Sequence, residues 1–422
     1  MYRNIFRTFV SRIIAAVLTF GVVFVSSRSL GPEKYGTIGL IMVAVGMALL
    51  FSALIGGTSL VYYTSRVKPA ALFTVSSLWG LLTSLVISGL MGVLKLYPPE
   101  FFLFVFLISL LANISQNLMF IILGKERIYQ QNIITVMQVF THFCIVIFLF
   151  HGLKAPSVGH YLLSVLISHT VATLAGLFFC RKEVFPLTFS GISASISEIM
   201  QYGFWVQLSA FIQLFNYRLS YYMVDWFLGR QMLGIYTLAV QLAESFWILP
   251  RSVAIVQFAH ISNISEPKDS VVLSYKLMQT VMLSIAVFSI PIFFIPEDWL
   301  ILVFGPGYAG IKNVLILLIP AIVIFSGAII LSHYFSGIGK VKFNAMTGGI
   351  GLIVTTGACF AFIPAFGLKG AAYAANISYA VMYITSLIIF ILVSRSSLRE
   401  LSKQNISMKK LWQQIRSFGE KE

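Results

Sequence analysis

Charge is scarce in this chain of 422 residues: only 10% of it is charged, and just 14 residues are acidic. Cysteine is scarcer still. Cys144, Cys180 and Cys359 lie in or beside apolar runs without metal-ligand spacing, so neither a disulfide framework nor a metal site is expected. There is no glycine-rich nucleotide loop, no Cys/His cluster and no nucleophile elbow, which excludes the recognisable forms of nucleotide hydrolysis and covalent catalysis; neither an enzyme nor a cofactor is expected. Alternating ten-residue segments, the signature of membrane β-barrels, are also missing. No cleavable signal peptide is evident, because the first long apolar run is followed at once by a second.

What the chain has is apolar length. Hydrophobic residues make up 58% of it, far above a soluble domain. Twelve stretches are long enough to cross a bilayer as helices, at about 9–28, 36–63, 70–94, 101–123, 130–150, 157–180, 203–227, 232–257, 272–295, 311–335, 343–365 and 370–393. The expected fold is an all-α polytopic membrane protein. The net charge of +15 would suggest nucleic acid in a soluble protein. Here the basic residues sit in short connections and the last 28 residues, where they set topology and meet anionic headgroups; no nucleic-acid partner is expected. They favour one side by about three to one, which places both termini in the cytoplasm.

The chain repeats itself. Leu30-Gly31-Pro32-Glu33-Lys34-Tyr35-Gly36 recurs 198 residues later as Leu228-Gly229-Arg230-Gln231-Met232-Leu233-Gly234, each between two apolar runs, so each is a tight turn between helices. Gly124-Lys125 recurs as Gly339-Lys340 and Gly152-Leu153-Lys154 as Gly367-Leu368-Lys369, both at an offset of 215 residues. The two offsets imply a duplicated half with an insertion of 17 residues in the second copy. That insertion includes Ile295 to Tyr308, expected as a short interfacial or re-entrant element on the outer face. Six spans per half make the repeats parallel, related by an axis along the membrane normal. The expected organisation is an N-terminal six-helix lobe at 1–180, a cytoplasmic linker at 181–198, a C-terminal six-helix lobe at 199–394, and a basic amphipathic tail helix on the cytoplasmic leaflet at 395–422.

Charge inside an apolar span is costly and faces a cavity or a partner. Arg218, Asp225, Glu244 and Arg251 all fall on one hairpin, spans seven and eight. Arg218 and Gln241 lie about equally far from the turn, so Arg218 and Glu244 are placed to pair across it, with Asp225 near the outer mouth and Arg251 near the inner one. Two readings stay open. One is a structural ion pair; the other is a cationic site for an anion, with Glu244 or Asp225 as a proton- or sodium-coupling carboxylate. The repeat counterparts of Arg218, Glu244 and Arg251 are Phe20, Gly46 and Ala53, and this asymmetry favours function. On span one, Arg12 and Arg28 are snorkelling or interfacial by position. Asn113, Gln116 and Asn117 on span four share a face, as do Gln138 and His142 on span five; with Gln241 they supply either interhelical hydrogen bonds or a polar wall for sugar hydroxyls. His142, His169 and His333 receive no role.

The Leu-Gly-Pro-x-x-Tyr-Gly turn and its second-half echo, Phe304-Gly305-Pro306-x-Tyr308, Gly337-x-Gly339-Lys340, and Ile363-Pro364-x-Phe366-Gly367-Leu368-Lys369-Gly370-Ala371-Ala372 resemble a known group. It is the polysaccharide-exporter and O-antigen flippase branch of the multidrug/oligosaccharidyl-lipid/polysaccharide (MOP) exporter superfamily. The resemblance implies two lobes around a central cavity that opens alternately to each side of the bacterial inner membrane. It also implies a polyprenyl-pyrophosphate-linked oligosaccharide as substrate, such as an O-antigen unit of lipopolysaccharide. Arg218, Arg251, Arg12 and Arg28 would then meet the pyrophosphate, with membrane lipids, a coupling H+ or Na+, and polysaccharide polymerase machinery as further partners of a monomer. A cation-coupled multidrug exporter of the same fold is the alternative. A membrane polymerase or ligase would need a large outer loop that the chain lacks, and an uncoupled scramblase stays open.

Overall fold

The computed structural model describes residues 2–64, 67–125, 127–189, 193–261 and 267–395. Helix dominates, and no strand occurs among the described residues. The chain forms two compact units, residues 1–211 with 303–307, and residues 212–302 with 308–422. The tail helix expected over 395–422 lies outside the described residues except for Arg395.

The first unit contains α1 (Tyr2–Ser52), α2 (Thr58–Tyr63), α3 (Pro69–Val93), α4 (Phe102–Gly124), α5 (Ile128–Ile147), α6 (Val158–Val184) and the start of α7 (Ser193–Leu228). α1 is two crossings in one run. Gly31, at φ 72° and ψ 170°, breaks the helical backbone, and Pro32 opens the second arm. The span expected at 36–63 is shorter than its apolar run: the helix stops at Ser52, and Gly57 at φ 63° and ψ −144° precedes the separate α2. Only glycine adopts that backbone readily, so Gly57 holds the break in the span where hydropathy continues. α3 starts at Pro69, whose missing N–H costs nothing in a first turn. Ser157 caps α6 by accepting from the His160 amide at 3.1 Å.

In this unit α1 packs on α3 and α5, and α4 on α3 and α6. Between spans in lipid the force is close packing, so small residues mark the contacts. Gly176 of α6 sits on the Leu118 side chain, and Gly21 of α1 on the Phe143 ring. The linker expected over 181–198 is mostly helical at both ends, since α6 continues to Val184 and α7 begins at Ser193. The division between units falls inside α7 instead. Its first part belongs to the first unit, where Gln207 donates to the Ala53 carbonyl at 3.3 Å and Phe211 meets Phe51 edge-on at 5.6 Å.

The second unit holds the rest of α7, then α8 (Arg230–Glu244), α9 (Ile248–Ile261), α10 (Pro267–Phe294), α11 (Glu297–Phe304), α12 (Ile311–Gly337), α13 (Lys342–Phe366) and α14 (Leu368–Ser394). Gly229, at φ 82° and ψ 173°, turns α7 into α8. The expected span 232–257 is interrupted by a 3-10 turn at Ser245–Trp247, and Pro250 in the next turn helps reset the hydrogen bonding. The insertion over 295–308 holds the eight-residue α11, with Trp299 and Leu302 exposed and Tyr308 buried. α12 is the centre of the unit, packed against α8, α9, α10 and α14.

Ten described helical stretches are long and apolar enough to cross a membrane. The first, Val10–Ser52, holds two crossings on either side of Gly31, and α7, with Asn216, Arg218 and Asp225, is not among the ten. With α1 counted as two crossings and the 36-residue α7 as one more, the described helices supply the twelve crossings expected. Large apolar side chains at the surface, including Val93, Trp226, Phe294 and Ile353, give these helices the outward face that lipid requires.

Candidate functional site

The charges of α7, α8 and α9 converge in the second unit. Arg218 and Glu244 form a bidentate pair, with the two guanidinium nitrogens donating to the two carboxylate oxygens, each at 2.9 Å. The same guanidinium donates to the Tyr221 hydroxyl at 3.2 Å. The pair is half-buried, and its fork-to-fork geometry is the strongest form of charge-assisted hydrogen bond. Asp225 is paired separately, accepting from Arg230 at 2.7 Å across the Gly229 turn.

Beside this pair lies an aromatic group. Tyr217 stands 5.4 Å from Trp247, Trp247 5.0 Å from Phe325, and Phe325 4.6 Å from Tyr379, centroid to centroid. Trp247 is fully buried and donates its indole N–H to the Ile322 carbonyl of α12. Two cavities flank the cluster. One, of about 20 Å³, is lined by Glu244, Tyr217, Asn216, Tyr236, Thr355 and Tyr379, and has room for a single water. The other, about 350 Å³, is lined by Arg251, Gln213, Tyr217, Ser332, His333 and Asn344 among others. Tyr217 is a wall common to both.

Arg251 is exposed, and its guanidinium lies 5.5 Å from the centroid of the Trp247 ring. No ion pair joins it to a carboxylate among the described residues, and no described carboxylate lines its cavity. Arg251 thus faces its cavity with no carboxylate across from it among the described residues. Arg218 differs, because Glu244 occupies its fork. Arg12 and Arg28 lie on α1 of the first unit, both exposed. Sixteen residues of helix separate them, about 24 Å, so they form no joint site with each other.

The expected polar wall divides between the units. Asn113 and Asn117 are buried, Asn117 donates to Asn113 at 3.1 Å, and they press on Gly80 and Gly56 respectively. Both serve interhelical contact. Gln116 is half-buried on the same helix. Gln138 faces His169, 3.2 Å away. Gln241 belongs to the second unit, on α8, and is half-buried. Sequence reasoning missed Asn216, which donates to the Gly348 carbonyl at 2.8 Å and accepts from Thr355, itself hydrogen-bonded to Ser378. It also missed Tyr217, Trp247 and Asn344. An asparagine two residues before the intramembrane Arg218 was the available signal for the first.

A family model described as polysaccharide biosynthesis protein matches residues 1–246, more than half of the chain. The chain belongs to that family. Three solved structures share its fold. A multidrug resistance MATE family transporter of the MOP superfamily, in an inward-facing conformation, has a TM-score of 0.70 at 15% identity, with 96% of this chain and 100% of that one covered. The lipid II flippase MurJ, in an inward closed conformation, has a TM-score of 0.70 at 13% identity, covering 96% and 90%. A MOP superfamily transporter from Pyrococcus furiosus, with a binding pocket described as of reverse polarity, has a TM-score of 0.62 at 15% identity, covering 94% and 95%. At such identities the likeness is one of fold. No curated relative matches the chain by sequence. The protein is therefore a multi-pass membrane protein of the polysaccharide biosynthesis family, with the MOP fold.

Proposed function

We propose that this transporter flips a polyprenyl-pyrophosphate-linked oligosaccharide across the bacterial inner membrane by alternating access, with its termini in the cytoplasm. One observation carries the reading: Arg251 lines a cavity of about 350 Å³ that no described carboxylate lines. Such a site suits an anion. The planar guanidinium can engage two oxygens of a pyrophosphate at once, and Gln213, Ser332 and Asn344 offer hydrogen bonds to hydroxyls of an attached sugar. O-antigen and related surface polysaccharide units are the substrate class this chemistry fits.

Arg218 and Glu244 have a second role in this reading. Protonation of Glu244 would cancel its charge and release one or both of its hydrogen bonds, freeing the Arg218 fork for substrate. That ties substrate capture to a proton gradient without any nucleotide. Asp225, held by Arg230 at the turn, is the lesser coupling candidate. Cation-coupled drug export has one point in its favour, the Tyr217–Trp247–Phe325–Tyr379 cluster, but those rings pack on one another and Trp247 is fully buried.

The test is a flipping assay in liposomes with a fluorescent polyprenyl-pyrophosphate oligosaccharide, with and without an imposed ion gradient. Gradient-dependent movement that disappears in Arg251→Ala supports the reading. No movement, with efflux of a cationic dye from the same vesicles, overturns it.

A further inference from the structure

One group of titratable side chains in the first unit has no part in that mechanism. Gln138 and His142 stand one turn apart on α5 and face α6. The Gln138 amide nitrogen is 3.2 Å from Nδ1 of His169, and the His142 ring meets Tyr161 edge-on at 5.3 Å. His142 is thus one helical turn from the side chain that meets His169. Its Nε2 is buried and has no hydrogen-bond partner among the described residues. Gln138 is ten residues into α5, about 15 Å from its start, so the group sits at mid-span.

Its surroundings are free of compensating charge. α5 packs against α1, α4 and α6. α4 carries no charged residue, and α1 meets α5 around Gly21, within an uncharged stretch from 13 to 27 flanked by the exposed Arg12 and Arg28. α6 contributes His160, Tyr161, His169 and Cys180, and Arg181, Lys182 and Glu183 in its last turn, with His160 turned to the Ala155 carbonyl at the helix start. Arg127 and Glu183 pair at 2.7 Å at the other end of the hairpin. In the same unit, Glu33 and Glu100 lie at a turn and a helix start.

We propose that His142 and His169, with Gln138, form a proton-binding site inside the first unit that takes up one proton, on either imidazole. In the neutral site the Gln138 amide donates to His169. When His169 takes a proton both ring nitrogens become donors, and rotation of the same amide presents its oxygen as acceptor. An amide therefore satisfies both states, which neither a carboxylate nor an apolar side chain would do. His142, with Nε2 lacking a partner, supplies the second acceptor, and repulsion between two imidazolium ions opposes double loading. The proposal does not depend on what is transported.

The experiment is NMR of the full chain in lipid nanodiscs with isotope-labelled histidine, following ring signals from about pH 4.5 to 8, the range of imidazole titration. His142→Asn and His169→Asn assign the signals. The expected result is two separated steps in the unaltered protein, with His169 titrating at higher pH once His142 is gone. Gln138→Glu is a variant that keeps both rings, and it should raise the His169 midpoint by about one pH unit or more through a nearby carboxylate. Two rings that stay neutral throughout, in the unaltered protein and in Gln138→Glu alike, overturn the proposal. So does titration of each ring at a midpoint indifferent to the other ring and to residue 138.

Discussion

Arg218 and Glu244 share two hydrogen bonds of 2.9 Å across the α7–α8 hairpin, and neither has another ion-pair partner among the described residues. Removing one strands the other in a poorly hydrated span. Arg218→Ala and Glu244→Ala should each destabilise the protein by about 3 kcal/mol, the lower end for a broken buried pair because this one is half-buried. Replacing both with similar-sized apolar residues, Arg218→Met with Glu244→Leu, should cost clearly less than the sum. Thermal unfolding in detergent checks this; additive losses would mean that the pair contributes nothing as a pair.

Glu244→Gln separates coupling from structure. The amide keeps the shape and one acceptor but cannot carry the charge that holds Arg218. Gradient-driven transport should lose its pH dependence while exchange in the absence of a gradient persists. Flipping with an unchanged pH profile would remove Glu244 as the coupling group.

Arg251 carries a different expectation because no described carboxylate is left behind when it goes. Arg251→Ala should leave unfolding within about 0.5 kcal/mol of the unaltered protein, as for an ordinary exposed site. Substrate affinity should fall by roughly 10- to 100-fold, the worth of charge-assisted hydrogen bonds of about 1.5–3 kcal/mol. Arg251→Lys should recover only part of it, since an ammonium keeps the charge without the fork. Titration of a fluorescent polyprenyl-pyrophosphate lipid in nanodiscs reads both variants.

Gly31 and Gly229 test the duplication. They stand 198 residues apart and have nearly the same backbone, φ 72° with ψ 170° and φ 82° with ψ 173°. A Cβ at either meets nothing within 4 Å, so the cost of alanine there is conformational alone, about 1–3 kcal/mol. Gly46 is the control, equally open but in regular helix, where alanine should be neutral or stabilising by up to about 1 kcal/mol. Melting curves of Gly31→Ala, Gly229→Ala and Gly46→Ala should separate two losses from one gain.

Those glycines also show what the sequence made legible. Twelve spans, the repeat turns and the Arg218–Glu244 pair follow from apolar length, a repeated heptapeptide and helical rise, all local or one-dimensional quantities. The interruptions at Ala53–Gly57 and Ser245–Trp247 did not, because hydropathy continues straight through both and only backbone geometry breaks. Nor did the aromatic group or Asn216, whose partners Gly348 and Thr355 are more than 130 residues away and joined to it by packing alone. Arg218, Arg251 and Glu244 were visible as charges in apolar runs. The cavity beside Arg251 was not visible, because its lining comes from residues 213 to 386 and is assembled by packing alone.

Asn113 and Asn117 give the last prediction, since polarity on a shared face fits a sugar-binding wall and an interhelical clamp equally well. Their burial and their contacts with Gly80 and Gly56 favour the clamp. A Cβ at Gly80 would run into the Asn113 amide, so Gly80→Ala must push α3 from α4 or break the Asn113–Asn117 hydrogen bond. The loss should be about 1–3 kcal/mol, as for overpacking, and Asn117→Ala should cost about 1 kcal/mol or more by stranding Asn113. Neither variant should change substrate affinity once the folded fraction is taken into account. A large drop in affinity with unaltered melting would put these asparagines in the substrate path instead.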